Sequence, residues 1–284
     1  VPSDSPFADL PRVLALRRLV GELDPSGPPA QRIVVTPGAG LAGNVALLPG
    51  SFNPPTMAHL ALAESALKTG KVDAVCFLLA TRTVNKERVE GASLADRLLL
   101  LEEITRGHPK LGVVLVNRGL YVDQARIARA ALPRLGELWF IVGFDKIVQI
   151  FDPRYYAHRD IALDELFRLA RFFVAPRGAA GFDDLNQLLN EPQNRPYADR
   201  VTPLPLPPEY REVSSSHLRA VAHQTGPLTD VPPIVTRFIE ATGAYEPPIT
   251  DAGGPALDRY AEREARLAAA EMGQLSAKDS PEHP

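Results

Sequence analysis

Apolar and polar positions alternate along this chain in two registers. Short apolar runs at residues 45–48, 72–79, 113–116, 138–142 and 172–175 have the length and branched composition of buried strands. Between them the spacing changes to that of amphipathic helices, predicted over 57–69, 94–106, 123–132, 161–170, 215–223 and 231–242. In 94–106, Leu94, Leu98, Leu101 and Ile104 line one face. Pro49-Gly50 closes the first strand, and Gly70 follows the first helix as a C-terminal stop. Strands alternating with helices predict a parallel sheet covered on both faces. Right-handed crossovers then bring the loops after Leu48, Leu79, Val116, Val142 and Ala175 to one edge, where ligands of such sheets bind.

The fold class is therefore α/β, a Rossmann-like parallel sheet with N-terminal and C-terminal extensions. Residues 41–245 form the main domain. In the N-terminal extension, 1–40, the residues Leu10, Val13, Leu14, Leu16, Leu19 and Val20 are interrupted by Arg12, Arg17 and Arg18, the pattern of a short docking helix. The C-terminal extension, 246–284, has a helix-like stretch over 256–272 rich in Ala, Glu and Arg, then a polar end expected to be disordered. That stretch reads either as a solvated helix or as one that joins copies into a homo-oligomer. Proline refines the picture. The chain has 28, sparse over 56–175 and crowded over 192–208, so 178–212 is expected to be loop or extended arm.

Charge and cysteine content exclude several classes. A net charge of -3 calls for neither nucleic acid nor an acidic membrane surface as partner. One cysteine, Cys76, excludes an internal disulfide framework and a multi-cysteine zinc site. No run approaches the ~18 apolar residues of a membrane span, and the N-terminal order is not that of a secretory signal, so a cytoplasmic location is expected.

Candidate chemistry begins directly after the first strand, with Gly50-Ser51-Phe52-Asn53-Pro54-Pro55-Thr56-Met57-Ala58-His59. Gly50 permits close backbone approach. The proline pair fixes the entry into the helix, Thr56 stands as its N-cap, and His59 falls in its first turn. Unpaired N–H groups and the helix dipole make that end an anion site, to which His59 adds a donor. The second motif is Val213-Ser214-Ser215-Ser216-His217-Leu218-Arg219. Serines opening a helix present hydroxyls and N–H groups together, and Arg219 shares a helix face with Ser215. A guanidinium fork beside hydroxyls suits the outer phosphates of a triphosphate.

The two motifs together, in this order, resemble the signatures of the nucleotidylyltransferase superfamily. The form with Thr56 ahead of His59, after Gly-Ser-Phe-Asn-Pro, resembles its nicotinamide and nicotinate mononucleotide adenylyltransferases. Ser216 stands where threonine is usual. The resemblance covers about residues 44–242. It implies ATP contacts from Gly50, Ser51, Phe52 and His59 at the first motif and from Ser214, Ser215, Ser216 and Arg219 at the second. Gly143 and Asp145 resemble the family's Gly-x-Asp, which holds a ribose hydroxyl, and Arg177 matches an arginine near the phosphates. On the acceptor side it implies Asn53, Lys86 for the mononucleotide phosphate, Arg97, and Tyr121 and Tyr156 for the pyridine ring. Tyr156 stands where the adenylyltransferases often have tryptophan.

The implied reaction is attack by a mononucleotide 5′-phosphate on the α-phosphorus of ATP, with release of pyrophosphate. The nucleophile is already anionic, so catalysis reduces to alignment and charge neutralisation, with His59, Thr56 and Arg219 as the catalytic set. Mg2+ is the implied cofactor, held mainly by the ATP phosphates, with no protein metal ligands expected. The expected partners are ATP and a pyridine mononucleotide. Two other readings share these motifs: a phosphopantetheine adenylyltransferase or cytidylyltransferase, and a non-catalytic nucleotide-binding regulator.

Overall fold

A computed structural model describes residues 6–38, 40–81, 91–176, 181–225, 228–249 and 256–278. The apolar runs form β2 (Gly43–Pro49), β3 (Ala74–Ala80), β4 (Leu111–Val116), β5 (Leu135–Gly143) and β6 (Arg171–Ala175), joined by β1 (Gln31–Val35) and β7 (Val201–Pro203) at the edges. The order in the seven-stranded sheet is β1-β4-β3-β2-β5-β6-β7. All neighbours are parallel except β1, which pairs antiparallel with β4. The chain steps outward from β2 to β3 and β4, then returns to the other side of β2 for β5, β6 and β7. The order thus reverses between β2 and β5, the kind of switch point beyond whose strand ends open α/β sheets bind ligands.

Ten α-helices run through the described residues: α1 (Leu10–Glu22), α2 (Met57–Lys68), α3 (Leu94–Thr105), α4 (Tyr121–Ala131), α5 (Phe144–Phe151), α6 (Arg159–Leu169), α7 (Phe182–Asn190), α8 (Ser215–Thr225), α9 (Pro233–Thr242) and α10 (Arg259–Lys278). Successive strand residues point to opposite faces, which explains why the runs are apolar throughout. Ala46, Leu48, Val75 and Phe77 enter one core with residues of α1, α2, α3 and α9. Val45, Leu47, Cys76 and Leu78 enter the other with α4, α5, α6 and α7. No helix among the described residues is long and apolar enough to cross a membrane.

The N-terminal segment is built into the domain. Val13, Leu14 and Leu16 of α1 are buried against the α3 side of the sheet, and β1 caps the exposed edge of β4. Asn117 fastens it. Its Oδ1 accepts from Ala30 N–H at 2.8 Å, while its Nδ2 donates to the carbonyls of Asp24 and Pro28.

Two expectations for the flanks are corrected. Residues 178–212 are not merely loop: α7 forms there with Leu185 and Leu189 buried on one face, and Pro203 ends a short edge strand, where a missing N–H costs no ladder bond. The helix expected at 256–272 is solvated on one face only, with Ala261, Glu262, Ala265 and Arg266 exposed, and its other face docks on α1 and α3. Arg17 of α1 bonds Glu264 at 2.9 Å and Glu271 at 3.0 Å. Arg263 grips Asp96 of α3 with both Nη atoms, at 2.8 and 2.9 Å. Asp96 is fully buried, and its carboxylate also accepts from Tyr260 Oη at 2.6 Å and Ser93 Oγ at 3.0 Å. Burial, then the charge of Asp96, pushes the Tyr260 phenol far above its ordinary pKa, so it stays a donor at any physiological pH. Arg263→Ala is expected to cost about 3 kcal/mol, because it strands a buried charge that keeps only its hydroxyl partners. A urea midpoint at the wild-type value would refute this.

Candidate active site

Gly50, at the end of β2, donates its N–H to Leu78 O at 3.1 Å. A Cβ there would lie 2.7 Å from the Phe52 ring, so the close turn requires glycine. Phe52 adopts the left-handed φ of 45° and folds its ring into the core. The ring meets Phe77 and His59 edge-on, with centroids 5.5 and 4.8 Å away. Phe52, read in the sequence as an ATP contact, is fully buried, with its ring packed beneath His59.

Thr56, fully buried, is the N-cap of α2 in extended conformation. Its N–H donates to Nδ1 of His59 at 3.0 Å, and its Oγ1 lies 2.8 Å from the same nitrogen. A backbone N–H can only donate, so Nδ1 acts as the acceptor. The ring proton then belongs on Nε2. His59 thereby presents an N–H donor at a helix N-terminus, the place where anions are favoured.

The second motif closes on the first. Ser215 Oγ donates to Pro54 O at 2.7 Å. Arg219 Nη1 donates to Asn53 O and, at 3.3 Å, to Ser215 O, while Nη2 reaches Ser216 Oγ at 3.4 Å. From α3, Arg97 Nη1 donates to Ser51 O at 2.8 Å. Three carbonyls of the β2–α2 loop, those of Ser51, Asn53 and Pro54, therefore face donors from α3 and α8. Arg97 is buried, and desolvation lowers its pKa, but a guanidinium keeps its charge at neutral pH. The Ser215 hydroxyl uses its proton on Pro54, so any hold it has on an anion falls to its backbone N–H or through Arg219. Ser214 Oγ accepts from His217 N–H at 3.2 Å, opening α8.

On the other side of the switch point, Gly143 ends β5 and begins α5, with Asp145 exposed in the first turn. Leu47 pairs with Phe140 in the parallel register, so Gly50 and Gly143 follow at matching distances along neighbouring strands. Tyr156 lies beyond α5, half-buried, and donates its hydroxyl to Ile150 O at 2.7 Å. Burial raises its phenol pKa.

Two other residues expected at the acceptor are placed differently. Asn53 is fully buried, and its Oδ1 accepts from Tyr245 Oη at 2.7 Å and Ala92 N–H at 3.1 Å. It is an internal strut. Tyr121 packs edge-on against Phe140 at 5.2 Å and Phe172 at 6.1 Å, so its ring belongs to the core beneath α4. Lys86 and Arg177 lie outside the described residues. The structure adds Ser93, Asp96 and Tyr245 beneath the loop. The spacing Ser93-x-x-Asp96 is a capping-box signal at the start of α3, and it was the only hint of this group.

Residues 47–221, more than half of the chain, match the cytidylyltransferase-like family model. The chain belongs to the cytidylyltransferase-like family, a family of nucleotidyltransferases. A probable nicotinate-nucleotide adenylyltransferase from Synechococcus sp. is 29% identical over 211 residues, 72% of this chain and 98% of that protein. A putative nicotinamide mononucleotide adenylyltransferase from Schizosaccharomyces pombe is 32% identical over 152 residues, 51% of this chain and 59% of that protein. Among solved structures, the Plasmodium falciparum nicotinic acid mononucleotide adenylyltransferase complexed with NaAD aligns with a TM-score of 0.52 at 17% identity. That alignment covers 72% of this chain and 97% of that chain, a likeness of fold.

Proposed function

We propose that this protein transfers AMP from ATP to a pyridine mononucleotide, with nicotinate mononucleotide the preferred acceptor. The observation that carries the reading is the joining of the two motifs, in which Ser215 and Arg219 are anchored on the carbonyls of Pro54 and Asn53. One phosphate chain can then meet the N-termini of α2 and α8 together. In the reaction an acceptor phosphate oxygen forms a bond to Pα, the Pα–O bond to the β-phosphate breaks, and its electron pair leaves on pyrophosphate. His59 Nε2–H donates to an α-phosphate oxygen as charge builds there, and Thr56 fixes the ring. Arg219 and the start of α8 hold the departing pyrophosphate.

Asp145 takes the ribose, Tyr156 stacks on the acceptor ring, and Lys86 and Arg177 supply cations. Mg2+ contributes charge neutralisation on the ATP phosphates. The ion would be held mainly by the oxygens of the nucleotide's own phosphates.

The nicotinate preference is supported by the relative that aligns over nearly its whole length. Steady-state kinetics with ATP and each mononucleotide test it. The expected result is kcat/KM for nicotinate mononucleotide at least ~10-fold above that for nicotinamide mononucleotide, the factor that one hydrogen bond to a charged group, worth about 1.5 kcal/mol, supplies. Equal values, or a preference for phosphopantetheine, would overturn it.

A further inference from the structure

The C-terminal part of the chain, outside the family match, reaches the phosphate loop from beneath. Tyr245 follows α9, is buried, and gives its hydroxyl to Asn53 Oδ1 at 2.7 Å. Ala92 N–H, just before α3, donates to the same oxygen at 3.1 Å. The contact is made possible by Gly91, at φ 109°. A Cβ there would lie 2.7 Å from both Asn53 Oδ1 and Tyr245 Cε1. Tyr245 itself sits at φ 68°, a left-handed conformation disfavoured for any residue with a Cβ and sustained only where packing over-determines it. Asn53 is the residue whose carbonyl receives Arg219, so one end of it is held by the C-terminal segment and the other by the second phosphate motif.

A second line of contacts runs parallel to this. Tyr260 Oη accepts from Ser93 N–H at 2.7 Å and donates to Asp96, which Arg263 grips, and the neighbouring Arg97 donates to Ser51 O. The helix that orients Arg97 toward the loop is thus itself held by α10.

We propose that Tyr245 is a positioning residue for nucleotide binding and turnover: its hydroxyl fixes Asn53 so that the loop carbonyls meet Arg219 and Ser215 and hold these two groups of the second motif in place, with α10 bracing the same loop through Asp96. A preorganised anion site loses strength when its donors are free to reorient, even if none is removed. The turnover part rests on the reaction proposed above; the binding part does not.

Tyr245→Phe removes the hydroxyl and keeps the ring. Leu163→Ala, in the core on the opposite face of the sheet, serves as a control that loses stability without touching the loop. The measurements are kcat, KM for ATP, melting temperature, and the Kd of a non-hydrolysable ATP analogue by calorimetry. Tyr245→Phe is expected to lower kcat roughly 10-fold and weaken analogue binding about 5-fold, while Leu163→Ala melts lower and keeps both constants. Kd and kcat of Tyr245→Phe within about twofold of wild type, or a loss equal to that of Leu163→Ala, would overturn the proposal. Should Tyr245→Phe fail to fold, Arg263→Gln carries the same comparison: analogue binding about threefold weaker supports the brace, and unchanged binding overturns it. Wild-type protein that binds the analogue but releases no pyrophosphate would refute the assigned reaction alone, since the binding constants still decide the role of Tyr245.

Discussion

His59→Ala should lower kcat about 10³-fold, the loss seen when one preorganised donor to a developing negative charge is removed. The geometry makes the expectation specific. Nδ1 is occupied by Thr56 N–H at 3.0 Å and the ring rests on Phe52, so the imidazole is held in one orientation with its proton on Nε2. The substitution also removes the link to the Thr56 N–H, at a cost of about 1 kcal/mol in stability. His59→Gln separates the two effects. Glutamine at the third helical position restores the link to the cap but cannot set a donor where Nε2 stood, so stability should return and turnover should not. Turnover within a few-fold of wild type in His59→Ala would remove His59 from the chemistry.

Arg219→Ala should be nearly as severe, with the loss concentrated in the handling of ATP. The guanidinium holds Asn53 O and Ser215 O in place, and in the proposed reaction it would also supply charge for the outer phosphates. Removing it leaves the carbonyl of a fully buried residue without that donor, a cost of about 1–3 kcal/mol. In addition, kcat/KM for ATP should fall about 10²- to 10³-fold. Arg219→Lys should recover part of the charge effect but little of the positioning, because an ammonium on a flexible stem cannot reproduce the fork. ATP saturation kinetics and a urea midpoint on both variants check this. An unchanged kcat/KM for ATP would contradict the role.

The order of strands and helices from β2 to β6 was readable because each buried strand is a continuous apolar run and each crossover helix has a clear apolar stripe. What the pattern missed has physical reasons. β1 carries Gln31 and Arg32 at a half-exposed edge, which leaves only Ile33-Val34-Val35 as an apolar run, shorter than the buried strands. α7 lies among prolines that mark interruption without showing that a short helix with Leu185 and Leu189 fits between them. α5 starts immediately after β5 and spans only eight residues, so its stripe of Ile147, Ile150 and Phe151 is too short to stand out.

At the site, Thr56, His59, Ser215 and Arg219 were legible because helix N-termini have strong local signatures. Asn53, Phe52 and Tyr121 show the limit of that reading. Each has a side chain able to contact a ligand, but which way it turns is decided by partners distant in sequence, such as Tyr245, Phe77 and Phe172. The same holds for the Asp96 group, whose members become neighbours only when α10 docks.

The central claim is adenylyl transfer to a pyridine mononucleotide, and the most direct test is a pyrophosphate-release assay on the purified chain with Mg2+. ATP and CTP are each paired with nicotinate mononucleotide, nicotinamide mononucleotide and phosphopantetheine, and the nucleotide product is identified by mass. The predicted result is pyrophosphate released in step with a pyridine–adenine dinucleotide, from ATP and a pyridine mononucleotide. Release only with CTP or phosphopantetheine, or none with any pair, would contradict the account.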